Sequence, residues 1–246
     1  MIDTFLRGPK VVINGYNGAI INATFEDICD QNSLMVMPTV AVGLEVASTD
    51  ATNDVMTTGT GAWTIRVYGL DANYRFQTED FTMAGQTAVV GTKTWMAVFG
   101  SEVILYGTGK VNAGVISIAD AVVTWTTGTP SDLTKTFAQI TTGQGVSHAG
   151  TYCIPEGERY CLTYVNISNR AQIVDYWALV QPLSSPISMI PLALLPATAP
   201  YQEINFPFGA MILNAKTWIR FQGTAQSTGG VGSLLAVLTR MPRGPA

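Results

Sequence analysis

The stretch Trp63-Thr64-Ile65-Arg66-Val67-Tyr68-Gly69-Leu70-Asp71-Ala72-Asn73-Tyr74 decides the fold class. In an extended chain successive side chains point to opposite sides, so Trp63, Ile65 and Val67 share one face and Thr64, Arg66 and Tyr68 the other. Gly69 to Tyr74 then reads as a turn, rich in residues that tolerate tight backbone. A second extended run follows over 76–83, so the pair predicts a β-hairpin. Working outward, the same texture recurs at 94–99, 103–106, 115–118, 121–126, 161–167, 173–180, 217–222 and 234–239, where β-branched and aromatic residues predominate. Between these runs stand Gly59-Thr60-Gly61, Gly107-Thr108-Gly109, Gly128-Thr129-Pro130, Gly143-Gln144-Gly145 and Thr228-Gly229-Gly230. Short strands punctuated in this way predict an all-β antiparallel sandwich, jelly-roll-like, with little helix.

Helix is expected only at 24–35, where Thr24 can cap and Asp27 falls in the first turn, and more weakly at 192–195. Residues 1–45 lack a repeating pattern and are expected to form an N-terminal arm or edge segment. Residues 46–246 carry the sandwich, either as one body or as subdomains 46–145 and 146–246. The stretch 181–207 contains Pro182, Pro186, Pro191, Pro196, Pro200 and Pro207. Proline cannot serve a central strand, so this stretch is expected to be a long connection or contact loop.

Composition narrows the function. Of 246 residues, 47% are hydrophobic and only 12% charged, against roughly 25% charged in an ordinary soluble domain. Such a chain either crosses a membrane or hides surface against protein. The longest apolar run, 187–195, is interrupted by Pro191, well short of the roughly 18 to 20 residues a spanning helix requires. The first ten residues lack the charged start and apolar centre of an export signal, so no membrane partner is expected. The formal net charge is -4, with 13 scattered Lys and Arg, so nucleic acid is not expected as a partner either.

Chemistry is thinly supplied. The single histidine, His148, follows Ser147, but neighbouring strand residues face apart and no nucleophile elbow surrounds them. Glu79 and Asp80 face apart for the same reason, which suits solvation or a salt bridge, and Glu156 and Glu158 are expected to be wetted turn residues. Asp71-Ala72-Asn73 and Thr49-Asp50-Ala51-Thr52-Asn53-Asp54 present oxygen atoms, but neither has the calcium-loop spacing, and Asx-turns are expected. Cys29, Cys153 and Cys161 have no metal-site spacing. Cys153 and Cys161 flank the turn 154–158 and could face each other across a hairpin, where buried thiols are expected rather than a disulfide. Trp63, Trp95, Trp125, Trp177 and Trp218 all lie in apolar runs, which points to packing more than to sugar stacking. No residue is therefore assigned to catalysis, a cofactor or a metal, and no enzyme is expected.

The run Gly59–Tyr74 also resembles a segment of particle proteins of tailed bacteriophages, in which an alternating strand ends in Gly-Leu-Asp and enters an Asn-Tyr turn. The similarity continues at Met83-Ala84-Gly85-Gln86-Thr87, at Asn112-Ala113-Gly114-Val115-Ile116 and at Tyr152-Cys153-Ile154-Pro155-Glu156-Gly157-Glu158, where such proteins favour a Tyr-Thr-Val-Pro-Ala-Gly-Lys turn. It spans about 45–165 and rests on turn chemistry. Cys153, Glu156 and Arg159 depart from the pattern. The resemblance implies a virion structural protein of β-sandwich type, assembled in the host bacterial cytoplasm. Its expected role is capsid cement or decoration. Its expected partners are copies of itself, with a trimer as the favoured form, and the major capsid protein or other virion proteins. The alternatives are a tail, adaptor, fibre or receptor-binding component, and a carbohydrate-binding sandwich.

Overall fold

A computed structural model describes residues 10–170, 173–182, 188–195, 201–227 and 229–242. The N-terminal segment supplies β1 (Lys10–Ile20) and β2 (Glu26–Asp27). The middle of the chain supplies β3 (Val42–Ser48), β4 (Ala62–Leu70), β5 (Phe76–Thr82), β6 (Val89–Trp95), β7 (Ala97–Tyr106), β8 (Ile116–Asp120), β9 (Trp125–Thr126), β10 (Thr129–Pro130) and β11 (Thr136–Ile140). The C-terminal part supplies β12 (Thr151–Cys153), β13 (Tyr160–Arg170), β14 (Val174–Pro182), β15 (Ser188–Leu195), β16 (Tyr201–Asn205), β17 (Ile212–Leu213), β18 (Thr217–Ala225) and β19 (Gly230–Arg240). All the strand ladders are antiparallel, and the one helical turn among the described residues, Leu133–Lys135, is a 3-10 turn capped by the Asp132 side chain. The chain divides into two compact units: residues up to Asn32 together with those from Ala149 onward, and Ser33–His148.

The discontinuous unit is a jelly roll. One sheet runs β1-β19-β13-β16 and the other β12-β18-β14-β15, with β2 extending the β12 edge along β18 and β17 joining β13. Numbered along the chain, the eight principal strands fall in the orders 1-8-3-6 and 2-7-4-5. Each strand but the fifth therefore lies in the sheet opposite its predecessor, the connectivity of two interlocked Greek keys. Period-two alternation drives the closure. Val11, Ile13 and Ile20 from β1, Leu234, Ala236 and Leu238 from β19, and Val165 and Ile167 from β13 are buried, as are Ile219 and Phe221 of β18 and Val174, Tyr176 and Ala178 of β14. Tyr176 spans the layer, its hydroxyl donating to the Ser168 carbonyl at 2.8 Å. A Cβ at position 232 would stand 2.6 Å from that hydroxyl, so only glycine leaves it room.

The continuous unit holds a four-stranded sheet, β11-β8-β3-β6, and a three-stranded one, β5-β4-β7. The expected hairpin is β4–β5, with Arg66 directly opposite Asp80. Its turn is organised by Asp71, whose carboxylate accepts the backbone N–H groups of Asn73 and Arg75, both at 2.8 Å. Ile65, Val67, Phe81, Trp95, Ile116, Ile118 and Phe137 are buried. Between β9 and β10, Thr127 and Gly128 both take positive φ (46° and 75°), the two-residue primed turn that matches strand twist.

Several expectations need correction. Residues 24–35 form no helix; Asp27 accepts the Gln222 amide at 2.9 Å and Glu26–Asp27 pairs with β18. Residues 192–195 belong to β15. Of the arm or edge segment expected at 1–45, residues 10–20 form an edge strand of the jelly roll, and the segment is divided between the units at Asn32/Ser33. The stretch 181–207 is not one connection, since it contains β15 and β16, while Pro186, Pro196 and Pro200 lie outside the described residues. Pro191 is accommodated because β15 is a sheet edge and the register slips between Tyr176 and Trp177, opposite it. The run expected over 94–99 is broken at Met96, where β6 gives way to β7, and most of 121–126 is turn.

Candidate functional site

The residues weighed for chemistry are each held by the fold in structural work. Ser147 hydrogen-bonds the backbone of Ser101, accepting its N–H at 2.7 Å and donating to its carbonyl at 3.3 Å, which stitches the segment before Ala149 to β7. His148, the neighbouring residue, is half-buried. Asp80 forms a two-pronged ion pair with Arg66 (2.6 and 2.7 Å), and the guanidinium holds its carboxyl below the usual carboxylate range. Glu79, on the other side of the strand, accepts the Thr92 backbone N–H and hydroxyl at 2.6 and 2.7 Å, which ties β5 to β6. Asp50 forms the expected Asx-turn with Thr52 and Asn53.

Asp54, weighed only as a calcium-type oxygen donor, is a structural centre. It is fully buried and accepts four hydrogen bonds, from the Ser48 hydroxyl (2.6 Å) and the backbone N–H groups of Ala62 (2.7 Å), Ala113 (2.9 Å) and Gly114 (2.8 Å). Such bonds satisfy a buried carboxylate without a metal. The sequence signal was available: an acid inside a Gly- and Thr-rich turn, followed by a Gly-bounded strand.

Cys153 and Cys161 do not face each other across a hairpin. Cys153 lies on β12 and Cys161 on β13, in opposite sheets, and both are buried free thiols; burial pushes the Cys153 thiol up. No tryptophan is exposed: Trp95 and Trp218 are in the core, Trp63 donates to the Gly59 carbonyl, Trp125 donates to Glu45, and Trp177 packs edge-on against Phe25.

A cavity of about 390 Å³ opens at one end of the jelly roll, between the turn at 156–159, the 214–215 segment and the end of β19 at Arg240 and Met241. Glu156 and Glu158, expected to be merely wet, are paired here. Lys216 lies 2.6 Å from Glu156, and Arg240 lies 2.8 Å from Glu158. The Tyr160 hydroxyl also donates to Glu158, and burial followed by that carboxylate holds the phenol well above its ordinary range. Both ion pairs tie the 156–158 turn to neighbouring segments, one to Lys216 and one to the end of β19.

The larger feature is the outer face of the sheet β1-β19-β13-β16. Residues directly opposite on neighbouring strands share a face, so register assigns the outward rows. One row is Tyr16, Ser233, Ser168, Tyr201; the next is Asn14, Leu235, Asn166, Glu203; the third is Val12, Val237, Tyr164, Asn205. Within these rows Glu203 is the single charge, with Lys10 and Arg170 beyond the ends. Several polar groups are already partnered within the sheet: the Ser168 and Ser233 hydroxyls at 2.7 Å, those of Thr163 and Thr239 at 3.0 Å, and the Asn166 amide with the Tyr164 hydroxyl at 3.4 Å. The sequence marks β19 as a strand, but its outward residues were not legible, because Val231–Thr239 is weakly charged on both faces.

No family model matches the chain, and no curated protein matches it. A solved structure of infectious bursal disease virus, Gx strain, is similar at 10% identity, covering 96% of this chain and 72% of that one, with a TM-score of 0.28. An overlap that loose carries no argument about assembly or activity.

Proposed function

We propose that the protein is a non-enzymatic structural component of a virus particle, in the finer reading a capsid cement or decoration protein of a tailed phage that bridges capsid subunits. The observation that carries this is the eight-stranded jelly roll whose broad outer sheet face is nearly free of charge. Jelly rolls serve viral capsids, lectins and cupins. A weakly charged sheet face suits protein contact, since charged residues are depleted at the centre of interfaces. The absence of an exposed tryptophan in the described residues favours this over a sugar-stacking module. Apolar burial at about 25 cal/mol per Å² over many copies makes individually weak contacts sufficient for a shell.

Particles assembled with and without the protein test the reading. Particles lacking it are expected to rupture at lower temperature and under milder osmotic shock, and complete ones to carry copies in proportion to capsid subunits. Equal resistance of the two would overturn the cement role, and a few copies per particle would move the protein to the tail.

A further inference from the structure

Resting on the reading that this chain works by assembly, we infer that the outer face of the sheet β1-β19-β13-β16 is a two-fold contact with a second copy of the same chain. Three observations choose this surface and this occupant.

The first is its chemistry. Leu235, Tyr16 and Tyr201 stand 38%, 42% and 65% exposed on it, with Val12 and Val237 in the row beyond Leu235. An ordinary wetted sheet face carries Lys, Glu and Arg, whose long side chains lose much freedom when covered. Here the polar residues are short, and the hydroxyls of Ser168, Ser233, Thr163 and Thr239 already satisfy one another. Covering the face therefore leaves few donors stranded.

The second is area. Five outward rows about 6.7 Å apart on β1, β19 and β13, and three on the shorter β16, with strands about 4.8 Å apart, give a plan area of roughly 580 Å² per copy. With β1 opposed only where the partner's β16 reaches, two copies face to face bury about 1,000 Å², at the low end for a specific contact. The contact is therefore reversible on its own and strengthened by repetition in a larger assembly.

The third is charge. Lys10 sits on the β1 edge and Glu203 on the β16 edge. A two-fold axis parallel to the strands lays β1 of one copy over β16 of its partner. Level along the strands is kept, so Asn14 of each copy sets an amide against the partner's Glu203, while Lys10 lies two rows, roughly 13 Å, further along, and no like charges oppose within the named rows.

Sedimentation equilibrium of the full chain at micromolar concentrations tests this, with Leu235→Glu and Asn14→Glu measured beside it and circular dichroism and thermal melting as folding controls. The expected result is a wild-type mass of twice the 26.3 kDa chain, and dissociation strengthened about tenfold or more in each variant, since like charges then oppose across the axis. Asn14→Glu changes a wetted side chain and sets a carboxylate against the partner's Glu203, so it reads the face even if Leu235→Glu fails to fold. A monomeric wild type, a trimer (which a two-fold face cannot close), or wild-type mass in folded forms of both variants overturns the inference. The outcome is separable from the particle experiment. A dimer abolished by these substitutions, with particles indifferent to the protein, leaves this contact standing and removes the cement role; the reverse pattern keeps the role and removes the contact.

Discussion

Asp54 shows how far one side chain can set local structure. Its two carboxylate oxygens gather three backbone N–H groups and a hydroxyl from three separate places in the chain. An alanine there strands those donors in the interior, each at about 1 to 3 kcal/mol. We expect Asp54→Ala to lose about 3 to 5 kcal/mol in urea unfolding. Asp50→Ala should cost about 1 kcal/mol, because its Asx-turn is partly wetted and water replaces the lost bonds. Equal, small losses in both would show that the Asp54 cluster is not structural. Both residues were legible in the sequence as oxygen donors in one loop. Only their burial separated a turn former from a hub, and burial depends on Ala113 and Gly114, some sixty residues onward.

At the scale of elements, alternation was a dependable guide where one face is buried and the other wet. The hairpin β4–β5 was readable on that basis, because a one-residue slip would invert every side chain, whereas β13, β14, β18 and β19 were readable from their β-branched and aromatic content. Reading failed where proline or a cap-like residue was judged by local preference alone. Pro191 lies in a strand because an edge leaves its missing N–H facing no partner. Thr24 and Asp27 look like a helix start, yet Asp27 is drawn to Arg220 at 3.6 Å and to the Gln222 amide at 2.9 Å on β18. The position of a strand in its sheet should therefore govern the cost of proline. Ala236→Pro, in β19 between β1 and β13, is expected to cost about 3 kcal/mol or more and depress the melting temperature steeply. Pro191→Ala should stay within about 1 kcal/mol of wild type. Comparable melting points for the two variants would contradict the edge assignment of β15.

On the scale of the whole molecule, the continuous unit leaves and re-enters the jelly roll beside one strand. Asn32 bonds Gly18 N–H at 3.0 Å, and Ala149 bridges to Gly15, so the two junctions lie about three residues, or roughly 10 Å, apart along β1. A short link can span that gap, which is the condition for an inserted body to be tolerated. Replacing 33–148 by a Gly-Ser linker is expected to leave a soluble protein with β-type circular dichroism and a cooperative melt. An unfolded or aggregated product would mean that the jelly roll depends on the insert. The sequence by itself determined that the protein is built of antiparallel strands, where most of them fall, and that its charge is too sparse for an ordinary wetted surface. These follow from side-chain period, turn residues and composition, which are local. Tertiary structure alone decided that β1 closes a sheet with β19 more than two hundred residues away, that Cys153 and Cys161 sit in opposite layers, and which rows of the outer sheet lack charge. Strand order and facing are set by long-range pairing and burial, and neither leaves a mark within the span of a single turn or strand.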